Sequence, residues 1–308
     1  MKKSLPLHIK TISEFHELHG FPKPEHPLIS VIQLNGSNTD AADGPVNVVF
    51  DFYTIALKRN FNVKFRYGQQ QYDFNEGVMF FMSPGQVFGV EEAEHAAEAP
   101  RVSGWMLCIH PDFLWNTPLA KHIRKYEYFD YAVHEALFLS DKEENIIIGI
   151  MENIQQEYRT NIDKFSQDII IAQLEVLLNY ADRFYNRQFL TRKIANHRIL
   201  DSLEDILDKY FSGEQLTQYG LPGVKEISAQ LNLSPNYLSA VLKLMTGRNT
   251  QQHIQDKMIE KAKEKISTTS LSVSEIAYEL GFEHPQSFSR LFKARTGLSP
   301  LEFRASFK

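Results

Sequence analysis

The chain has 308 residues, room for about two domains at the usual ~100–200 residues each, and is 43% apolar, 12% aromatic and 23% charged. That composition suits packed cores and excludes a disordered chain. No stretch approaches the ~18 consecutive apolar residues of a membrane span, and the opening Met1-Lys-Lys-Ser-Leu-Pro lacks the apolar run of a secretory signal, so a cytoplasmic chain without membrane contact is expected.

Residues 1 to about 45 hold Pro6, Pro22, Pro24, Pro27, Gly36, Asp43 and Gly44 among short apolar pieces, with no sustained period. They read as an irregular arm with one strand, Leu28 to Leu34. His16, His19 and His26 raise the question of a metal, but no carboxylate or cysteine joins them at ligand spacing, and solvated tail histidines are expected.

From Val46 to His110 the pattern becomes short runs rich in Val, Phe, Tyr and Ile between turn residues. Val46–Phe52, Tyr53–Leu57, Phe61–Tyr67, Gly77–Met82, Gln86–Val90 and Gly104–Ile109 each suit a strand of ~5–7 residues. Regular short strands imply a small barrel or sandwich. Its aromatic residues, among them Phe50, Phe52, Phe81 and Trp105, suit either a core or the lining of a ligand pocket. A catalytic metal would need about three converging donors, and this region offers only His95, in an acidic loop, and His110, at a strand end. No metal, cofactor or catalytic residue is therefore expected, and no enzyme. Cys108, the only cysteine, excludes an internal disulfide and reads as a small core residue.

Two amphipathic helices follow, Asp141–Thr160 and Ser166–Phe189, with apolar residues at i, i+3, i+4 spacing. The second carries the stripe Leu174, Leu177, Leu178, Ala181 and Tyr185, which suits either the barrel's core or an antiparallel contact between two copies of the chain. Asn186–Lys193 is polar and basic, as a linker would be. Leu200–Phe211 reads as a bridging helix and Gly213–Gly223 as a flexible hinge.

One short pattern is then written twice. Val224, Glu226, Ile227 and Leu231 recur 49 residues on as Val273, Glu275, Ile276 and Leu280. Pro235, Ser239, Lys243, Thr246 and Gly247 recur 50 residues on as Pro285, Ser289, Lys293, Thr296 and Gly297. Each copy predicts two helices joined by a tight bend. In the second copy Ser274 caps a helix with Ile276, Ala277 and Leu280 on its inner face, Gly281 ends it, and Phe288, Leu291 and Phe292 bury the next. In the first, Ile227 and Leu231 face Leu238, Val241 and Leu242. Thr250–Ile266 forms a helix between the units, about 25 Å long at ~1.5 Å per residue, with Ile254, Met258 and Ala262 inward. From residue 222 on, twelve Lys and Arg stand against eight Asp and Glu, so this part is +4 in a chain of net −5. A local excess of that kind suits a phosphate footprint.

Leu233-Ser-Pro-x-Tyr-Leu-Ser239, Lys243, Thr246-Gly247, Ile254, Ala262, Ile276-Ala-x-x-Leu-Gly-Phe282, Phe288-Ser-Arg-Leu-Phe-Lys293, Thr296-Gly297, Ser299-Pro300 and Phe303-Arg304 resemble the DNA-binding domain of the AraC/XylS family of transcription regulators. Phe80-Phe-Met-Ser-Pro-Gly85 and the aromatic strand after it are similar to the cupin-like sensor barrel at the N-terminus of many members. The resemblance implies an α+β fold: a cupin-like regulatory and dimerisation domain over 1–195, a bridging helix and linker over 196–220, and an all-α double helix-turn-helix domain over 221–308. By position in the motif, Asn236, Tyr237, Ser239 and Ala240 in the first unit and Gln286, Ser287, Ser289 and Arg290 in the second would meet base edges. Lys243 and Lys293 would hold phosphates. Arg304 suits either a phosphate contact or an internal salt bridge. The implied partners are promoter DNA, a small-molecule effector, RNA polymerase and a second copy of the chain. Alternatives are a cupin-type enzyme tethered to DNA and a ligand-independent regulator whose barrel only dimerises.

Overall fold

The computed structural model of the chain describes residues 6–35, 46–59, 66–67, 70–71, 77–90, 103–132, 135–159, 163, 165–191, 193–212, 216 and 220–306. They divide into two units, Met1–Thr191 and Arg192–Lys308.

The first unit is mixed. Its strands are β1 (Leu7–Ile9), β2 (Ile29–Asn35), β3 (Val46–Phe50), β4 (Tyr53–Arg59), β5 (Arg66–Tyr67), β6 (Gln70–Gln71), β7 (Val78–Met82), β8 (Val87–Val90), β9 (Ser103–Ile109) and β10 (Leu137–Phe138). Its helices are α1 (Ile12–Leu18), α2 (Pro118–His122), α3 (Asp141–Arg159) and α4 (Ser166–Thr191). Five strands form an antiparallel sheet in the order β10-β7-β4-β9-β2, and three form a second sheet, β1-β3-β8, in which β1 and β3 are parallel. β4 and β9 are central and read as near-continuous apolar runs, as strands covered on both faces do. Alternation still sorts their side chains. Phe52, Ala56, Met106 and Cys108 join Ile32 and Leu34 of β2 and Ile9, Ile12, Phe15 and Phe50 in one cluster. Gly104 is required where β9 crosses β4, because its φ is +145° and a Cβ there would lie 2.0 Å from the Leu57 carbonyl oxygen.

α3 and α4 carry the remaining apolar surface. Tyr158 of α3 sets its hydroxyl 2.9 Å from the Val31 N–H, and Gln155 donates to the Val31 carbonyl, so α3 is fastened to β2. Gln188 of α4 accepts from the Phe138 N–H and donates to the Ala136 carbonyl, and Arg187 pairs with Glu143 at 2.7 Å. Phe81, Tyr128, Phe129 and Tyr185 stack and cross with ring centroids 4.5–6.2 Å apart.

Several expectations need correction. Residues 1 to 45 do not form an irregular arm where they are described: β1 and β2 pair into the two sheets, and Ile9, Ile12 and Phe15 are buried. Short elements separated by prolines hid pairings made at long range. His16 is no solvated tail residue; it is buried, with Nδ1 2.5 Å from the Pro22 carbonyl oxygen and Nε2 3.0 Å from Ser30 Oγ. Leu174, Leu177, Leu178, Ala181 and Tyr185 are all buried within the unit, so that stripe is core and offers no contact to a second copy. Asn186–Lys193 is no linker either, since α4 runs to Thr191. The strand expected at Phe61–Tyr67 and the loop histidine His95 fall wholly or mainly outside the described residues. His110 caps a short 3-10 turn, Pro111–Leu114, its Nδ1 accepting from the Asp112 N–H, and Cys108 is fully buried with its thiol pushed up by desolvation. Among the described residues no three His, Cys, Asp or Glu side chains converge as a metal would need, and no helix is long and apolar enough to cross a membrane.

The second unit is helical: α5 (Lys193–Ser212), α6 (Val224–Gln230), α7 (Pro235–Thr246), α8 (Thr250–Thr268), α9 (Val273–Glu279), α10 (Pro285–Thr296) and α11 (Pro300–Ala305). One cluster unites it. Leu203, Leu207, Tyr210 and Phe211 of α5 and Leu216 pack with Ile227, Leu238, Leu242, Ile254, Met258, Ala262, Ile276, Leu280, Phe288 and Phe292. The helix expected as a bridge therefore belongs to this core. The flexible hinge expected at 213–223 is described only at 216 and 220–223. There Leu216 is buried and its carbonyl accepts from the Gly220 N–H.

Candidate nucleic-acid interface

Local sequence builds α6 and α7, then α9 and α10, on one plan. α6 is followed by Asn232 at φ 53° and α9 by Gly281 at φ 79°, the residue types that most readily adopt the left-handed conformation. α7 starts at Pro235 after Ser234, whose Oγ accepts from the Tyr237 N–H. α10 starts at Pro285 after His284, which makes no side-chain cap. Both helices have 12 residues and end at a left-handed glycine, Gly247 or Gly297, whose N–H donates to the carbonyl of Lys243 or Lys293. Thr246 and Thr296 then turn their hydroxyls back to the Leu242 and Phe292 carbonyls, at 2.8 Å in each case. His253 Nε2 lies 2.8 Å from Thr246 Oγ1; the hydroxyl proton is spent on Leu242, so the ring nitrogen is the donor, and burial holds this imidazole below its ordinary pKa.

The repeat continues one helix further. Asn249 and Ser299 close capping boxes with Gln252 and Glu302 on α8 and α11. α9 has the same device, formed by Ser272 and Glu275 rather than by Ser274, so the expected cap moves two residues upstream. The carboxyls of Glu275 and Glu302 are held below the usual range by their hydrogen bonds to Ser272 and Ser299.

Of the residues expected at base edges, Gln286, Ser287 and Arg290 on α10 are exposed, and Asn236 and Ala240 on α7 are half-buried. Tyr237 is fully buried, which corrects its assignment: it lies four positions before Val241 and beside Leu238, both buried, and so belongs to the inner face. Its counterpart Ser287 is exposed, so the two units present different surfaces at this point. Ser239 Oγ meets Thr250 Oγ1 at 2.9 Å and Ser289 Oγ donates to the Pro285 carbonyl at 3.0 Å, which directs both hydroxyls inward. Thr250, fully buried, was missed by sequence reading because it opens a different helix and shares no period with Ser239.

Salt bridges take up Arg248, Lys257, Lys261, Lys265 and Arg295. Lys225 on α6, Lys263 on α8, and Lys243, Arg290 and Lys293 stand exposed outside them, the last three on the second helix of a unit. Arg304 is internal, but not as a salt bridge: its guanidinium donates to the carbonyls of Ile266 and Leu271, at 3.3 and 2.6 Å, and so fastens α11 to the turn after α8.

Residues 227–306 match the helix-turn-helix domain family HTH_18. Over 148 residues the chain is 28% identical to the uncharacterized HTH-type transcriptional regulator YfiF of Bacillus subtilis (strain 168), covering 48% of this chain and 43% of that protein. Over 76 residues it is 41% identical to the uncharacterized transcriptional regulatory protein YesN of the same organism, 24% of this chain and 21% of that one. Over 82 residues it is 34% identical to the arabinose operon regulatory protein of Escherichia coli (strain K12), 27% of this chain and 28% of that one. The chain thus spans less than half the length of each of these curated relatives. The two capped helix-turn-helix units, together with these matches, make residues 227–306 a helix-turn-helix domain of the AraC type.

Proposed function

We propose that the chain is a sequence-specific transcription regulator that binds promoter DNA through α7 and α10, under the control of a small molecule held in the N-terminal unit. The observation that carries the DNA-binding reading is the repetition of one polar face. Asn236, Ala240 and Lys243 on α7 stand at the same motif positions as Gln286, Arg290 and Lys293 on α10, and the two helices are joined through α8. The 19 residues of α8 span about 28 Å at ~1.5 Å per residue. That length suits two major grooves one turn, ~34 Å, apart. Arg290 pairs with guanine, Gln286 and Asn236 with adenine, and Ala240 with a thymine methyl, while Lys243 and Lys293 hold phosphates.

The N-terminal unit is read as the cupin-like regulatory and dimerisation domain. Support for a ligand comes from β4. Thr54 Oγ1 is buried without a hydrogen-bond partner among the described residues, and Lys58, four residues along the same face, has its ammonium pKa lowered by burial. A dimer contact through α4 would use its exposed Ile169 and Val176 in place of the buried stripe. The reading is of a cytoplasmic binding protein, not an enzyme, with RNA polymerase as a further partner.

The test is selection from a randomised duplex pool with the full chain, followed by anisotropy titration of the enriched sequence at rising salt. A two-box motif and an affinity that falls with salt are expected. Equal affinity for the enriched and an unrelated duplex would sink the proposal.

A further inference from the structure

Asp256 lies in the second turn of α8, the helix that joins the two units, and each of its carboxylate oxygens meets an arginine from a different unit. Oδ2 accepts from Arg248 Nη1 at 2.5 Å, and Arg248 follows the glycine that ends α7. Oδ1 lies 3.7 Å from Nη1 of Arg295, which belongs to the last turn of α10. Beside it Gln255 Oε1 accepts from Arg295 Nη2. Asp256 and Arg295 are each 29% exposed at the side chain, so water only partly screens the pair.

Neither arginine is part of the duplicated pattern. Fifty residues away, Leu298 stands in the place of Arg248, and Met245 in the place of Arg295. The repeat keeps its cores and caps but breaks its symmetry at these two positions, and both breaks converge on one carboxylate. A contact so placed joins the repeats to each other rather than stabilising either one. The shared apolar core fixes how closely the units pack, but apolar burial has no preferred direction. Charge-assisted hydrogen bonds do: Arg248, after α7, donates to Asp256, and Arg295, at the end of α10, donates to the neighbouring Gln255 while its charge lies within ion-pair range of the same carboxylate.

We propose that Asp256 is a positioning residue that sets the rotation and separation of α7 relative to α10, and with them the gap between the two DNA boxes that the chain accepts. The inference rests on the DNA-binding reading above. Partly exposed ion pairs add little to fold stability, so the expected consequence lies in geometry.

Two variants of the full chain separate this from a simple effect of charge. Asp256→Asn raises the net charge by one, whereas Arg248→Met combined with Arg295→Met lowers it by two. Both remove the clamp. In selection from a randomised duplex pool, wild type and Asp256→Glu are expected to enrich two boxes at one gap, and both clamp variants the same boxes at several gaps. On the wild-type sequence both clamp variants should lose roughly 2–30-fold in affinity, with binding to either box alone unchanged. Circular dichroism melts establish that each variant is folded. If both variants keep the single wild-type gap, or if Asp256→Asn binds every duplex more tightly and the double variant every duplex more weakly, the clamp is only a charge mask and the inference falls. A wild-type chain that enriches no paired boxes overturns the DNA-binding reading and takes this one with it.

Discussion

Gly281 and Gly297 share nearly the same backbone, with φ of +79° in both, yet their surroundings differ. A Cβ at Gly281 would lie 2.9 Å from Gly220 Cα, a backbone atom that cannot swing away, whereas nothing lies within 4 Å of one at Gly297. Gly297→Ala should therefore cost only the left-handed strain, about 1–2 kcal/mol. Gly281→Ala should add an overpacking cost of about 1–3 kcal/mol. Urea unfolding of the two variants checks the order, and equal losses would remove Gly220 from the account. The first half of this was legible in the sequence, because a glycine after a periodic run marks a helix end. The approach of Gly220 was not, since folding alone brings together residues sixty-one positions apart. Tyr237 failed for another reason: its motif position pointed outward while its spacing to Val241 pointed inward, and burial followed the spacing. At the exposed positions the readout is binding. Arg290→Ala is expected to cost ~1–3 kcal/mol on the preferred site and relax one base position, while Lys293→Ala weakens all duplexes alike and flattens the salt slope. Equal losses for Arg290→Ala on specific and random DNA would refute its role at a base edge.

At the scale of elements, the repeat was readable because caps and apolar periods are local, and the arm was not because its short elements take their stability from distant partners. The capping box of α9 gives a sharp contrast between near neighbours. Ser272→Ala should lower stability by about 1 kcal/mol, since it removes the acceptor of the Glu275 N–H, and the exposed Ser274→Ala should stay within about 0.5 kcal/mol. Thermal melts showing the reverse order would return the cap to Ser274. In the arm, α1 is tied down through His16. Its Nδ1–H donates to Pro22 and its Nε2 accepts from the Ser30 hydroxyl, an arrangement that needs the neutral ring, and burial lowers its pKa below the ordinary 6.5. The unfolded chain then binds a proton that the folded chain refuses. Stability of the N-terminal unit should be full above pH 6.5 and decline as pH falls through that value toward the folded pKa. His26 is shifted in the same direction by burial, so His16→Gln should remove part of the slope of unfolding midpoint against pH, not all of it. A slope unchanged by the substitution would show that His16 does not carry the effect. α4 gives the matching lesson for stripes: Leu177 has no exposure, so Leu177→Asp is expected to unfold the unit.

For the whole molecule, the division into units decides which fragment can stand alone. Composition suggested a tether between the barrel and the repeat, and a DNA-binding fragment beginning at Leu221 would follow from it. The core of the second unit says otherwise. Leu203, Leu207, Tyr210, Phe211 and Leu216 are at most 6% exposed and pack with residues of α6 to α10. Lys257 of α8 reaches back to Asp208 of α5 at 2.7 Å, and that hydrogen bond is the main cause of its raised pKa. Each buried apolar side chain contributes about 1.5–3 kcal/mol. A small domain is stable by only about 5–15 kcal/mol in total, so losing five such side chains removes an amount comparable to the whole margin. A fragment of residues 192–308 should therefore melt in one cooperative transition and bind the selected duplex. A fragment of residues 221–308 should show no cooperative transition and bind weakly at best. Calorimetry and circular dichroism of the two, with anisotropy on the same duplex, make the comparison. Equal melting of both would mean that α5 lies on the unit without supporting it, and the boundary would belong near residue 221 after all.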